Sequence, residues 1–188
     1  MNSIKQIEVI YNNRLVGRLA LTKAGLCAFE YSAEWLSSGF SISPVELHLR
    51  SGVFIAKPRP FEGGFGVFDD CLPDGWGLLV LDRYLQQKGI NPRVLTLLDR
   101  LALVGASGRG ALEFRPDHSV VTRQDYVDFE KLALEAERIL DSDEYRGEGI
   151  EEFQDRGGSP GGARPKIFAR YEGKEWLVKF RAKRDPQS

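Results

Sequence analysis

The tightest constraint in this sequence is an alternation. In IKQIEVIYNNRLVGRLAL, Ile7, Val9 and Tyr11 occupy every second position, the pattern pauses at Asn12-Asn13, and Leu15, Gly17, Leu19 and Leu21 resume it. A period of two puts successive side chains on opposite faces of a strand. Asn tolerates the positive φ angles that a two-residue hairpin turn demands. The start of the chain is therefore predicted to be an antiparallel hairpin. Leu26–Tyr31 reads as a third strand, with Val45–Leu49 and Gly52–Ala56 as weaker ones. Turn signals this closely spaced predict a small curled sheet or barrel.

The period then changes. In LPDGWGLLVLDRYLQQKGINPRVLTLLDRLALVG the apolar residues recur at helical spacing, first Trp76, Leu79, Val80 and Tyr84, then Val94, Leu97, Leu98 and Leu101. Gly89 can end the first helix and Pro92 can sit in the first turn of the second. Gly110–Pro116 reads as a short returning strand. From Asp125 to Ser142, Tyr126, Phe129, Leu132, Ala133, Ala136, Ile139 and Leu140 form one stripe, and Thr122 with Asp125 offers a capping box ahead of it. The polar, glycine-rich SDEYRGEGIEEFQDRGGSPGGARP that follows reads as a boundary. Beyond it, KIFARYEGKEWLVKF reads as two strands around Glu172-Gly173, with Trp176, Val178 and Phe180 on the face that would pack against the Asp125–Ser142 helix. The fold class is α+β.

Composition narrows the function classes. With 188 residues, 42% hydrophobic and 28% charged, the chain has room for a globular core. A net charge of −1 gives no basic field for nucleic acid. Trp35, Trp76 and Trp176 are dispersed with no basic stripe between them, so a stacking platform for single strands is not indicated. Cys27 and Cys71 match no metal spacing, and His48 and His118 have no nucleophile in their neighbourhood. The longest apolar runs fall far short of the roughly 20 residues that span a bilayer. These features fit a cytoplasmic chain without membrane or direct nucleic-acid contact.

GGSPGGARPKIF, Gly157 to Phe168, carries the chemistry if any stretch does. A run so rich in glycine and proline is a poor core segment. Three readings compete. A flexible linker explains the composition. A Walker A loop needs Gly-Lys-Ser/Thr after its spacing, but Ala163 and Arg164 follow Gly162, so that reading fails. The third is a kinase-like arrangement, in which a glycine-rich turn between strands covers nucleotide phosphates and a lysine on a following strand neutralises them. Lys179 in WLVKF stands where that lysine would stand, although a snorkelling surface lysine has the same sequence signature.

SPGGARPK followed by WLVKF resembles the glycine-rich loop and nucleotide lysine of the HipA-type serine/threonine kinases, the toxins of bacterial type II toxin–antitoxin pairs. GRLAL, FEYSAEWLSSGFSISPVELHLR, FGVFDDCLPDGWGLLVLDRYL and LALVGASGRGALEFRP are similar to successive pieces of that family's N-terminal region. The resemblance implies a small barrel-like N-terminal subdomain over residues 1–120, a connecting helix and linker over 121–150, and the glycine-rich loop and first hairpin of a kinase N-lobe over 151–188. It implies that Gly161, Gly162 and Lys179 contact ATP phosphates, and that Ser159 is a regulatory autophosphorylation site. Arg164 and Lys166 are read as solvated loop charges. Implied partners are a HipB-like helix-turn-helix antitoxin, the kinase C-terminal lobe on the same or another chain, and a translation-related protein substrate. ATP and Mg2+ are the implied cofactors of the complete kinase.

The family's catalytic aspartate, catalytic-loop asparagine and metal-binding aspartate match no position up to Ser188, so this chain alone is expected to transfer no phosphate and to hold no catalytic residue or metal ligand. Asp69-Asp70 and Asp74 read as turn and helix-cap residues, and GASGRG (Gly105–Gly110, holding Arg109) reads as a tight turn, although it could also grip an anion. The alternative role is a non-catalytic, neutralising module that binds a separate kinase core or the antitoxin.

Overall fold

The computed structural model describes residues 3–120, 127–142, 145, 147, 149–157 and 162–181. They fall into two compact units, one of Met1–Leu72 with Leu95–Ser119, the other of Pro73–Val94 with Val120–Ser188.

The first unit is an open antiparallel sheet with short helices. Its strands are β1 (Gln6–Tyr11), β2 (Arg14–Leu21), β3 (Cys27–Tyr31), β4 (Phe54–Ile55) and β5 (Glu113–Arg115), in the order β4-β3-β2-β1-β5. The predicted hairpin forms around Asn12-Asn13, whose φ angles are 47° and 61°. A register shift between Val9 and Ile10 lets both side chains bury, as a bulge does when it re-aims a strand. Ile7, Val9, Val16, Leu19, Phe29 and Phe114 form the centre of the core. The α+β class stands, but the sheet has two edges, β4 and β5, and does not close into a barrel.

The segment Val45–Leu49 is not a strand. The hydroxyls of Tyr31 and Ser41 both donate to the Leu47 carbonyl, at 2.6 and 2.7 Å, so side chains satisfy the backbone that a ladder would have used. Gly52–Ala56 contributes only the two residues of β4. Helix α1 (Ala33–Ser38) is capped by Ser32, and α2 (Gly66–Asp69) is a single turn.

Within the second unit, α3 (Gly75–Gln87) follows Asp74, and Gly89 lies just past its end at φ 74°. Pro92 does not open the next helix. It begins a separate 3-10 turn, Pro92–Val94. The helix itself, α4 (Leu97–Val104), belongs to the first unit and starts from a Thr96/Asp99 capping box. This helix packs on β1, β2 and β5.

Helix α5 spans Phe129–Asp141 and is capped by the Asp128 carboxylate, which accepts the Lys131 N–H at 3.0 Å. Thr122 and Asp125, the expected caps, lie outside the described residues. Leu132, Ala136 and Ile139 are its buried stripe, while Phe129 and Leu140 stay partly exposed. The stretch read as a plain boundary contains a further helix, α6 (Ile150–Gly157), which buries Ile150 and Phe153.

Strands β6 (Lys166–Tyr171) and β7 (Lys174–Lys179) pair around Glu172-Gly173 at φ 50° and 73°, as the sequence predicts. Trp176 does not pack inward; it is 54% exposed. Helix α6 lies on β6 and leaves β7 as the outer strand, so of the three predicted inward residues only Phe180 is buried, against Phe153, with Val178 half-buried. No helix among the described residues is long and apolar enough to cross a membrane.

Candidate functional site

The turn 162–165 leads directly into β6, and the geometry around it is specific. Gly162 has φ 101°, a conformation that side chains disfavour. Its carbonyl accepts two hydrogen bonds, from the Trp76 backbone N–H at 3.1 Å and from Lys166 Nζ at 3.0 Å. The Trp76 indole N–H donates to the Lys166 carbonyl at 3.1 Å. At the other end, the Phe180 N–H donates to the Pro165 carbonyl at 2.8 Å and closes the base of the hairpin.

That closure sets Lys166 and Lys179 directly across from one another in the β6–β7 register. Lys179 is exposed, whereas Lys166 is buried, at 3% of its full accessibility. Lys166 is therefore not the solvated loop charge that the sequence suggests: it is the first residue of β6, held under the turn. Arg164 does stay exposed. Burial, and after it the neighbouring Lys179, lower the pKa of the Lys166 ammonium from its ordinary value, while Asp74 opposes them. Like charges placed opposite one another on a strand pair are unfavourable. An anion seated between them would reverse that sign.

Asp74 occupies the cap position of α3, but its side chain makes no capping hydrogen bond. Its position near Lys166 was not readable from LPDGW. Of the other residues that the sequence points to, Gly161 and Ser159 lie outside the described residues.

GASGRG is a tight turn, and the carboxylate of Asp117 lies against its backbone. The Asp117 carboxylate accepts the Ala106 N–H at 3.2 Å and the Ser119 N–H at 2.8 Å. Burial raises the Asp117 pKa, yet these bonds, the Ser119 hydroxyl and His118 outweigh it and hold the acid below its ordinary value. Asp69 lies in α2 and Asp70 caps that helix. Burial first, then Asp70 and Glu62, raise the Asp69 pKa.

The family model for the HipA N-terminal domain matches residues 7–115. The chain belongs to the HipA family. The matched span takes in the sheet of the first unit together with α3 and α4, and it ends before the glycine turn. No curated protein matches the chain. In this HipA-family chain the turn and its lysines are thus described by their geometry alone. The Lys166 ammonium donates to the Gly162 carbonyl and lies within the electrostatic reach of both Lys179 and Asp74. Among the described residues no group of three or more acids, histidines or cysteines converges as ligands.

Proposed function

We propose that this chain is the N-terminal part of a HipA-like serine/threonine protein kinase, and that its glycine turn with Lys166 and Lys179 receives the phosphates of ATP. The observation that carries the reading is the cross-strand lysine pair at the mouth of a glycine turn, one member buried. Two ammonium groups beside the side-chain-free backbone of Gly162 would form an electrostatic cradle for a polyanion, and phosphoryl transfer relies on such cradles to offset the charge on the transferring group. Gly161 would add a backbone amide, and Ser159 a site where phosphorylation repels the nucleotide.

The catalytic and metal-binding carboxylates of the kinase belong, in this reading, to the C-terminal lobe, and no step involving Mg2+ is assigned to residues of this chain. The activity of the complete protein would be that of a type II toxin, held by a HipB-like helix-turn-helix antitoxin and directed at a translation-related protein.

Titrating the chain with a fluorescent ATP analogue tests the phosphate cradle. Saturable binding that falls at least tenfold in Lys179→Met is expected. Absence of binding, or equal affinity in Lys179→Met, would overturn the proposal.

A second reading, a non-catalytic module that docks on a kinase core or antitoxin, is favoured by one observation. Val53 and Ile55, on or next to edge strand β4, are 54% and 60% exposed, and Val45 in the preceding turn is 86% exposed. Ile55→Asp should then weaken capture of a HipA kinase core without changing nucleotide binding, and unchanged capture would remove this reading.

A further inference from the structure

We propose that Asp74-Gly75-Trp76, the head of α3, is the seat that fixes the glycine turn, with Trp76 as its positioning residue; this rests on the reading of that turn as a phosphate cradle.

Trp76 holds both ends of the 162–166 stretch. Its backbone N–H reaches the Gly162 carbonyl and its indole N–H reaches the Lys166 carbonyl, each at 3.1 Å. The first is one of the N–H groups at the start of a helix that no intrahelical carbonyl can take. The indole is 2% exposed and packs edge-on against Phe153, with ring centres 5.3 Å apart, so its direction is set by the core. Because that N–H is committed to a carbonyl, Trp76 acts on a nucleotide only through the turn.

Gly75 makes the approach possible. It has φ 45°, and a Cβ there would lie 2.6 Å from the Gly162 carbonyl carbon and 2.7 Å from its oxygen. No side chain fits between α3 and the turn. Asp74 completes the seat electrostatically. With no capping bond of its own, it faces the Lys166 charge favourably and offsets part of the repulsion from Lys179. The turn is thereby held in one conformation before any ligand arrives, and a pre-ordered loop loses less entropy on binding than a free one.

The test combines amide hydrogen exchange with titration of ATP in the intact chain. Trp76→Phe retains an aromatic ring against Phe153 and the backbone N–H to Gly162, and deletes only the indole bond. Exchange across the peptide 162–168 should rise at least tenfold, and ATP affinity should fall at least fivefold. Ile139→Val, which loosens the same core without touching the turn, should change neither. Gly75→Ala should act in the same direction as Trp76→Phe and decides the matter if the phenylalanine variant does not fold.

Unchanged exchange across the turn overturns the seat. So does faster exchange with unchanged ATP affinity. A wild-type chain that binds no ATP refutes the phosphate cradle itself, and with it any positioning role. A wild-type chain that binds, with variants that bind equally well, refutes the seat alone.

Discussion

Lys166 and Lys179 face one another across the β6–β7 hairpin, and only Lys179 reaches open solvent. Burial and this neighbour lower the Lys166 pKa. An unfolded chain keeps that lysine protonated up to about pH 10.4. Between the lowered native value and that pH, the unfolded state binds more protons, so stability rises with pH through the window. Below the native value the cost of the buried charge is fully felt. Urea unfolding of wild type and Lys166→Met across alkaline pH should show the wild type gaining relative to the variant. A constant difference would contradict the assignment.

Gly105 supplies a second check. It ends α4 at φ 51°, and a Cβ there would overlap the Asp117 carboxylate. Gly105→Ala therefore strains the backbone and expels the acid from its amide contacts. A loss of about 2–4 kcal/mol is expected from strain and broken bonds together. Asp117→Ala should make the same substitution less costly, because the overlapping group is gone. Denaturant midpoints of the two single variants and the double variant measure this coupling.

Asp99 governs the acid limit of the first unit. It is buried, which raises its pKa, but the Ile4 N–H, the Thr96 hydroxyl and N–H, and His118 together hold it below the ordinary value. A carboxyl with a depressed native pKa stabilises the fold above about pH 3.9 and loses that contribution as pH falls through the native value. Asp99→Asn should destabilise at pH 7 by about 1–2 kcal/mol through loss of the capping box, and the gap from wild type should begin to narrow only as pH falls below about 3.9. Thermal melts over pH 3 to 7 would reveal it.

Glu135 is the buried acid of α5, and the Tyr145 hydroxyl donates to it closely while Arg138 pairs with its other oxygen. Tyr145→Phe removes the donor to a buried carboxylate oxygen, at an expected cost of about 1–3 kcal/mol. Adding Glu135→Leu removes the buried acid and should recover part of that loss. A double-mutant cycle by chemical denaturation tests this, and strict additivity would contradict it.

What the sequence discloses here depends on the range of the interaction. The Asn12-Asn13 and Glu172-Gly173 hairpins, α3 and the stripe of α5 follow from local periodicity and turn chemistry, and all are present. Helix α6 was hidden because only Ile150 and Phe153 mark its buried face, in a segment rich in glycine and acid. The exposure of Trp176 depends on which strand α6 covers, and alternation along β7 is silent on that. At the candidate site, the placement of Gly162 in a turn and of Lys179 on the second strand after it was legible from local sequence. The burial of Lys166 was not, because it depends on long-range packing in which Trp76, 90 residues away, bonds the Lys166 carbonyl. LPDGW reads locally as a helix start, and its second role depends on what folds against it.

The central claim is that the glycine turn and the Lys166/Lys179 pair form a phosphate cradle, and calorimetric titration of the intact chain with ATP and with adenosine tests it most directly. ATP should bind at least tenfold more tightly than adenosine, with proton uptake at alkaline pH as Lys166 recharges, and Lys179→Met should erase most of the difference. Equal affinity for the two ligands, or a preference for ATP that survives undiminished in Lys179→Met, would contradict the account.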